Sequence, residues 1–540
     1  MVLWYPYGLN GYHSSSNIEA NCSQLAAGFV SGFGEGENIV ETKLQELKAR
    51  LMEINDLESA AAVLVWDQRT YMPPGGATAR VRQVGTLRRL AHEKFTDPAV
   101  GELLEDLRPY EEGLPHDSDE ASLIRITRRD YERVTKVPAS FKAEFDSHMA
   151  MSYHVWTQAR PANDFARMVP YLEKTLDFSR RYADFFPDKE HVIDPLIGLS
   201  DAGVTGSDLR KLFGGLRDNL VPMVRAIAEQ PAPDDACLHQ TFPIDKQLAF
   251  GLEVAERFGY DLERGREDLS AHPVTTSFSF DDVRITTRVK ENNLKEALFG
   301  TLHESGHAIY TQNIRKELAR TPLGRGATSG VHESQSRLWE NVVGRSRSFW
   351  EFAYPKLQAV FPEQLASVSL DTFYRAINKV EPSLIRTAAD EVTYSLHCAM
   401  RFQLELDLLE GHVAVRDLPE VWCERFKEDF GIVPPDDRDG VLQDMNWYSD
   451  RIGGLYQHYT LGNIMSAMWF ETAVQAKPEI NREMAQGEFG TLRGWLTQNI
   501  HHHGRKFTIP ELVERVTGGS LTIEPYIRYL RNKYSQLYQL

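Results

Sequence analysis

Four cysteines in 540 residues, Cys22, Cys237, Cys398 and Cys423, are too few and too scattered for a disulfide framework. None stands in a CxxC spacing, so a cysteine-held metal is not supported, and free thiols in a reducing compartment are expected. No stretch reaches the roughly 20 apolar residues of a membrane-spanning helix. Positive charge is also short: 60 Lys and Arg face 77 Asp and Glu, a formal net charge of −17. That balance argues against nucleic-acid and anionic-membrane partners, which need a basic face. Any anionic group the protein binds must be met by a local concentration of cations. The first basic residue is Lys43, so the n-region of a signal or transit peptide is missing and the cytoplasm is the expected location.

Strand signals are sparse as well. The clearest lie in 273–280 and 283–288, two runs of β-branched and aromatic residues separated by Asp281-Asp282, which predict a small hairpin. Residues 1–38 are rich in Gly, Ser, Asn and Tyr and end in Gly32-Phe33-Gly34-Glu35-Gly36. No preceding strand or following Lys-Ser/Thr supports a phosphate cradle there, so a disordered N-terminal extension is expected. From Ile39 onward helical periodicity dominates. Leu44, Leu47, Leu51, Ile54 and Leu57 form one apolar stripe, and similar stretches recur near 160–185, 208–228, 290–315, 366–378 and 485–500. The expected architecture is all-α: a single large helical domain over 39–540 with a small antiparallel sheet.

His303-Glu304-Ser305-Gly306-His307 fits H-E-x-x-H and lies within a helical pattern directly after the predicted hairpin. Positions i and i+4 share a helix face, so both imidazoles can reach one metal ion. Glu304 then falls beside the open coordination position, where it can take a proton from water. A catalytic zinc needs a third protein ligand, commonly a Glu on a second helix. Glu333, 26 residues past His307, and Glu340, two turns further on, both qualify by spacing.

The chain resembles the thermostable (Taq-type) metallocarboxypeptidases in several ordered motifs. These are Trp66-Asp67-Gln68 with Met72-Pro73, His272-Pro273, Asp282-Val283-Arg284-Ile285-Thr286, His303 to His307, and His332-Glu333-Ser334-Gln335-Ser336. Ile385-Arg386-Thr387-Ala388-Ala389-Asp390-Glu391, Gly440-Val441-Leu442-Gln443-Asp444 and Tyr459-Thr460-Leu461-Gly462-Asn463 follow. The resemblance runs from about residue 40 to the C-terminus. It implies a helical shell around a deep groove, similar to neurolysin and angiotensin-converting enzyme, with the sheet beside the metal, and a homodimer. It implies His303, His307 and Glu333, rather than Glu340, as ligands of one Zn²⁺ per chain. Co²⁺ or Mn²⁺ could stand in for zinc, since metal availability decides. It also implies Glu304 as general base and Arg386 as the partner of a peptide's free C-terminal carboxylate.

Hydrolysis needs a further donor for the developing oxyanion, and Tyr459 and Tyr394 are candidates. Arg284 and Arg288 either assist in binding substrate or pair with acidic neighbours. Asp390 could orient a ligand histidine or pair with Arg386. His272, His332 and His397 are expected to be structural or to lie behind the ligands, and His501-His502-His503 to be a solvated helix end. The chain departs from the resemblance at Asn446, where a His is usual, at Asp450 in place of Gly, and at Val274. The expected activity is release of single C-terminal amino acids from peptides. The alternatives are a zinc oligopeptidase cutting internal bonds or releasing dipeptides, and a catalytically impaired peptide-binding homologue, against which the retained Glu304 argues.

Overall fold

Leu44, Leu47, Leu51 and Ile54 are all buried along one side of a 36-residue helix, α1 (Glu35–Thr70). At 1.5 Å per residue it is about 54 Å long. The computed structural model describes residues 35–540, so nearly all of the expected N-terminal extension, Cys22 included, lies outside the described residues. Its last four residues, 35–38, are not extension but the first turn of α1.

In chain order, the other elements that frame the site begin with α2 (Ala77–Phe95) and α3 (Asp119–Lys136), then β1 (Glu267–Leu269), β2 (Val274–Ser279) and β3 (Asp282–Thr287). They continue with α4 (Leu294–Gln312), α5 (Ser329–Arg337), α6 (Tyr394–Glu410), α7 (Gln457–Ala476) and α8 (Glu524–Tyr538). Most of the remaining described chain is also helical, and among the described residues no helix is long and apolar enough to cross a membrane. The core between the helices holds four fully buried tryptophans, Trp339, Trp350, Trp422 and Trp469.

The predicted hairpin forms: β2 and β3 pair antiparallel, with Thr275 opposite Ile285 and Thr276 opposite Arg284. The sheet is mixed rather than antiparallel throughout, because β1 adds to the other side of β3 in parallel. Three residues of Glu-Asp-Leu carry no alternation from which such a strand could be read. The order β1-β3-β2 leaves β2 as an edge strand, and its Thr275 side reaches α4.

Three helices converge on the H-E-x-x-H segment. α5 starts at Thr328, whose hydroxyl accepts the Val331 N–H, and ends by passing into a π-helical turn over Leu338–Val343. Two glycines let α4, α5 and α7 approach closely. A Cβ on Gly306 of α4 would lie 2.6 Å from the Gln335 carbonyl and 2.7 Å from the Ser336 Cα. One on Gly462 of α7 would lie 2.5 Å from Cγ of Glu333.

Candidate active site

His303 and His307 project from one face of α4, their rings 4.9 Å apart and nearly perpendicular. Glu333 reaches them from α5: its Oε2 lies 3.8 Å from Nε2 of His303 and 3.6 Å from Nε2 of His307. The three ligand atoms lie within 4.8 Å of one another, a group able to hold a metal ion. The groups behind them fit that use. Nδ1 of His303 is 2.9 Å from a carboxylate oxygen of Glu340, which can only accept while ionised, so Nδ1 carries the proton and the Nε2 lone pair is free. Nδ1 of His307 is likewise occupied, by Nδ1 of His332, which leaves its Nε2 facing Glu333.

Arg337 holds both carboxylates from one guanidinium. It donates to Oε1 of Glu333 at 2.7 Å and to Oε2 of Glu340 at 3.0 Å, and lies 4.4 Å over the Tyr394 ring. Burial raises the Glu333 pKa, but Arg337 and the two histidines outweigh it and hold the carboxyl well below its usual range. Burial opposes ionisation of Glu340 too, and Arg337 and His303 bring it down to about 2. Burial alone would lower His303, whereas Glu333 and Glu340 raise it. The pocket is thus a cluster of charges that compensate one another, with ionised oxygens facing imidazoles.

Glu304 is 6% exposed, and the Thr275 hydroxyl of β2 donates to its Oε2 at 2.6 Å. Strand alternation explains why Thr275, and not its neighbours, meets this carboxylate. It also places Arg284 on the opposite face of the sheet, since Arg284 pairs with Thr276. There Arg284 is held by both oxygens of Asp282 and lies 4.6 Å over Trp66 of α1, and among the described residues no hydrogen bond or ion pair joins it to the histidines or Glu333. Arg288 is likewise paired, with Glu296.

Arg386, 7% exposed, is fixed from several sides. Its Nε donates to Asp444 at 2.6 Å, Nη1 to the Tyr394 hydroxyl at 3.0 Å, and its backbone N–H to Gln443 at 2.9 Å. The guanidinium lies 4.9 Å from the centre of the Tyr459 ring. Burial opposes its charge, but the surrounding Tyr394 and Asp444 raise its pKa well above the ordinary value. Among the described residues its Nη2, the Tyr459 hydroxyl and the Asn446 side chain make no hydrogen bond to protein, so three donors are left for a ligand. Asp450 occupies extended backbone, φ −147°, that any residue adopts, so a glycine is not required there.

Several expectations are corrected. Asp390 neither orients a ligand histidine nor pairs with Arg386; it accepts N–H bonds from Glu381, Val392 and Thr393 and so closes a turn. His501 is not solvated but fully buried, 3.0 Å from Gln335 of α5. His397, by contrast, is structural as expected, bonded to the Ser383 carbonyl and to Arg401. Sequence reasoning missed Arg337 and Thr275. Arg337 stands four residues after Glu333 on the same helix, a spacing that could have flagged it; Thr275 required knowing which strand face meets α4.

Comparison with known proteins bears on what this cluster does. The family model described as "Carboxypeptidase Taq (M32) metallopeptidase" matches residues 46–534. Thermostable carboxypeptidase 1 of Thermus thermophilus is 39% identical over 512 residues, covering 92% of this chain and 99% of the relative. Carboxypeptidase 1 of Bacillus subtilis is 35% identical, covering 93% and 100%. The crystal structure of an M32 carboxypeptidase from Deinococcus radiodurans R1 superposes with a TM-score of 0.90 at 46% identity, covering 92% of this chain and all of that one.

Proposed function

The chain belongs to the Carboxypeptidase Taq (M32) metallopeptidase family and is a metallocarboxypeptidase, and from that premise we propose how its residues divide the work. His303, His307 and Glu333 hold a single Zn²⁺, with Glu340, His332 and Arg337 fixing them from behind. When bound, such an ion supplies Lewis acidity, polarising the scissile carbonyl and lowering the pKa of a water it coordinates. Glu304 accepts the proton of the attacking water and passes it to the leaving amine. Thr275 donates to one Glu304 oxygen, which leaves the other to take the proton. Tyr459 and Asn446 donate to the developing oxyanion with hydroxyl and amide groups that no described residue occupies.

The observation that carries exopeptidase action is Arg386. Asp444 and Tyr394 hold a charged guanidinium, and Gln443 the backbone N–H of the same residue, with one nitrogen unspent beside Tyr459 among the described residues. A fixed cation suits a free C-terminal carboxylate, and holding it sets the scissile bond one residue away. Arg284, paired with Asp282 on the far sheet face, has at most an indirect part in binding. The edge strand β2 offers an extended peptide a place to pair. The catalytic domain, expected over 39–540, is taken to start with the first turn of α1 at Glu35, and the assembly as a homodimer. The reducing cytoplasm suits the free Cys237, Cys398 and Cys423.

An N-blocked peptide and its C-terminal amide, incubated with zinc-loaded protein and followed by mass spectrometry, test this reading. The free acid alone should lose single residues stepwise, and Glu304→Gln should abolish the reaction. Equal cutting of acid and amide would mean an oligopeptidase and return Arg386 to a structural role.

A further inference from the structure

A groove of about 1740 Å³ opens beside the site. α1, α2 and α3 contribute to its walls, β2 lines it from Thr276 onward, and its inner end reaches His332, the residue against His307. On the reading above, it takes the part of the peptide upstream of the scissile bond. Its lining is unevenly charged: Arg and Lys outnumber Asp and Glu there, in a chain whose net charge is −17. The carboxylates present are already engaged. Asp56 is held by Arg320, Glu58 by Arg325 and Asp146 by Lys142, and Asp130 is gripped by both outer nitrogens of Arg505.

Arg129 and Arg133, one turn apart on α3, are left without a carboxylate of their own. Arg129 makes no hydrogen bond to any described residue, and its Nε is sealed from solvent without an acceptor. The carboxylate near it, Asp130 at 3.7 Å, is the one Arg505 already grips. Among the described residues Arg133 donates only to a backbone carbonyl, that of Gly198. Burial, then the like charge of Arg505, pushes the Arg129 guanidinium below arginine's ordinary range, with Arg133 and Arg125 adding to this against Asp130. Arg69 of α1 and Arg88 of α2 line the same groove and have no carboxylate within salt-bridge distance among the described residues. A half-buried guanidinium with no acceptor is costly unless a ligand completes it.

We propose that Arg129 and Arg133, with Arg69 and Arg88 on the neighbouring helices, form an anion subsite that takes an acidic side chain of the peptide upstream of the scissile bond. The enzyme therefore favours peptides carrying Asp or Glu at that distance from the C-terminus. The subsite rests on the groove being the peptide channel of the carboxypeptidase.

The test is a series of N-blocked peptides with one C-terminal residue in common, in which Glu, Gln or Lys is moved through each upstream position. A blocked dipeptide too short to enter the groove runs beside them. With the zinc-loaded wild-type enzyme, Glu should exceed Gln by about tenfold in kcat/KM at one or two adjacent positions, the size of one charge-assisted hydrogen bond. Lys should fall below both. The gain should appear mainly in KM and shrink as salt is raised. In Arg129→Gln the preference should vanish, and in Arg129→Lys it should survive in part, with melting temperature and metal content reporting that each is folded. Equal rates for Glu and Gln at every position in the wild type would overturn the subsite, whatever the variants do. So would an unchanged preference in folded Arg129→Gln. Failure of the wild type to cleave even the dipeptide would instead remove the carboxypeptidase reading beneath it.

Discussion

Each imidazole of the candidate centre is backed by a different group, a carboxylate for His303 and a second imidazole for His307. The carboxylate partner fixes the tautomer and strengthens the ligand, and losing such a partner typically costs about 10–100-fold in metal affinity. Glu340→Gln keeps the size and removes the charge. Its zinc affinity, measured by competition with a chelator, should fall within that range, whereas an affinity equal to wild type would contradict the role. By spacing, Glu340 rivals Glu333, because residues seven apart lie on one helix face. What separates them is depth: Glu333 meets both Nε2 atoms, while Glu340, in the π-helical turn, stands behind one ring. Only the crossing of α4 with α5 determines that. Arg386 could be found in the sequence through its motif, but its partner Asp444, 58 positions away, could not be matched to it by any local pattern.

At the scale of elements, the site depends on how closely three helices meet. Gly306 faces the backbone of Gln335 and Ser336, which cannot turn aside as a flexible side chain would. Gly306→Ala should therefore cost about 1–3 kcal/mol of stability and loosen the zinc site with it, as read from thermal melting and metal content. Gly214, on a helix where an added Cβ meets nothing within 4 Å, is the contrast: Gly214→Ala should be neutral or stabilising by up to about 1 kcal/mol. Equal losses at the two positions would contradict the close-approach argument. The helices themselves could be read from the spacing of Leu44, Leu47, Leu51 and Ile54, since that stripe is what the core buries. The hairpin could be read from its β-branched runs. β1 could not, being three residues long and held only by pairing with β3. Nor could the burial of His501, because a run of three histidines looks solvated until its first ring is seen to meet Gln335.

At the scale of the whole molecule, an acidic chain assembles cations where it needs them. Arg386 is buried and Arg337 largely covered at the site, and Arg129 and Arg133 line the groove leading to it. Composition set that requirement in advance, since a net charge of −17 allows an anionic ligand only where the fold concentrates guanidinium groups. Which arginines do so depends on pairings across hundreds of residues, such as Arg505 with Asp130, which releases Arg129. The proposed activity stands on one centre, three ligands and a separate base. It is tested most directly by the zinc content of purified wild-type protein, Glu304→Gln and Glu333→Ala, each assayed beside its peptidase activity. About one zinc ion per chain is expected in the wild type and in Glu304→Gln, with activity lost in the latter, while Glu333→Ala should lose both metal and activity. Full zinc occupancy in Glu333→Ala, or undiminished cleavage by Glu304→Gln, would contradict it.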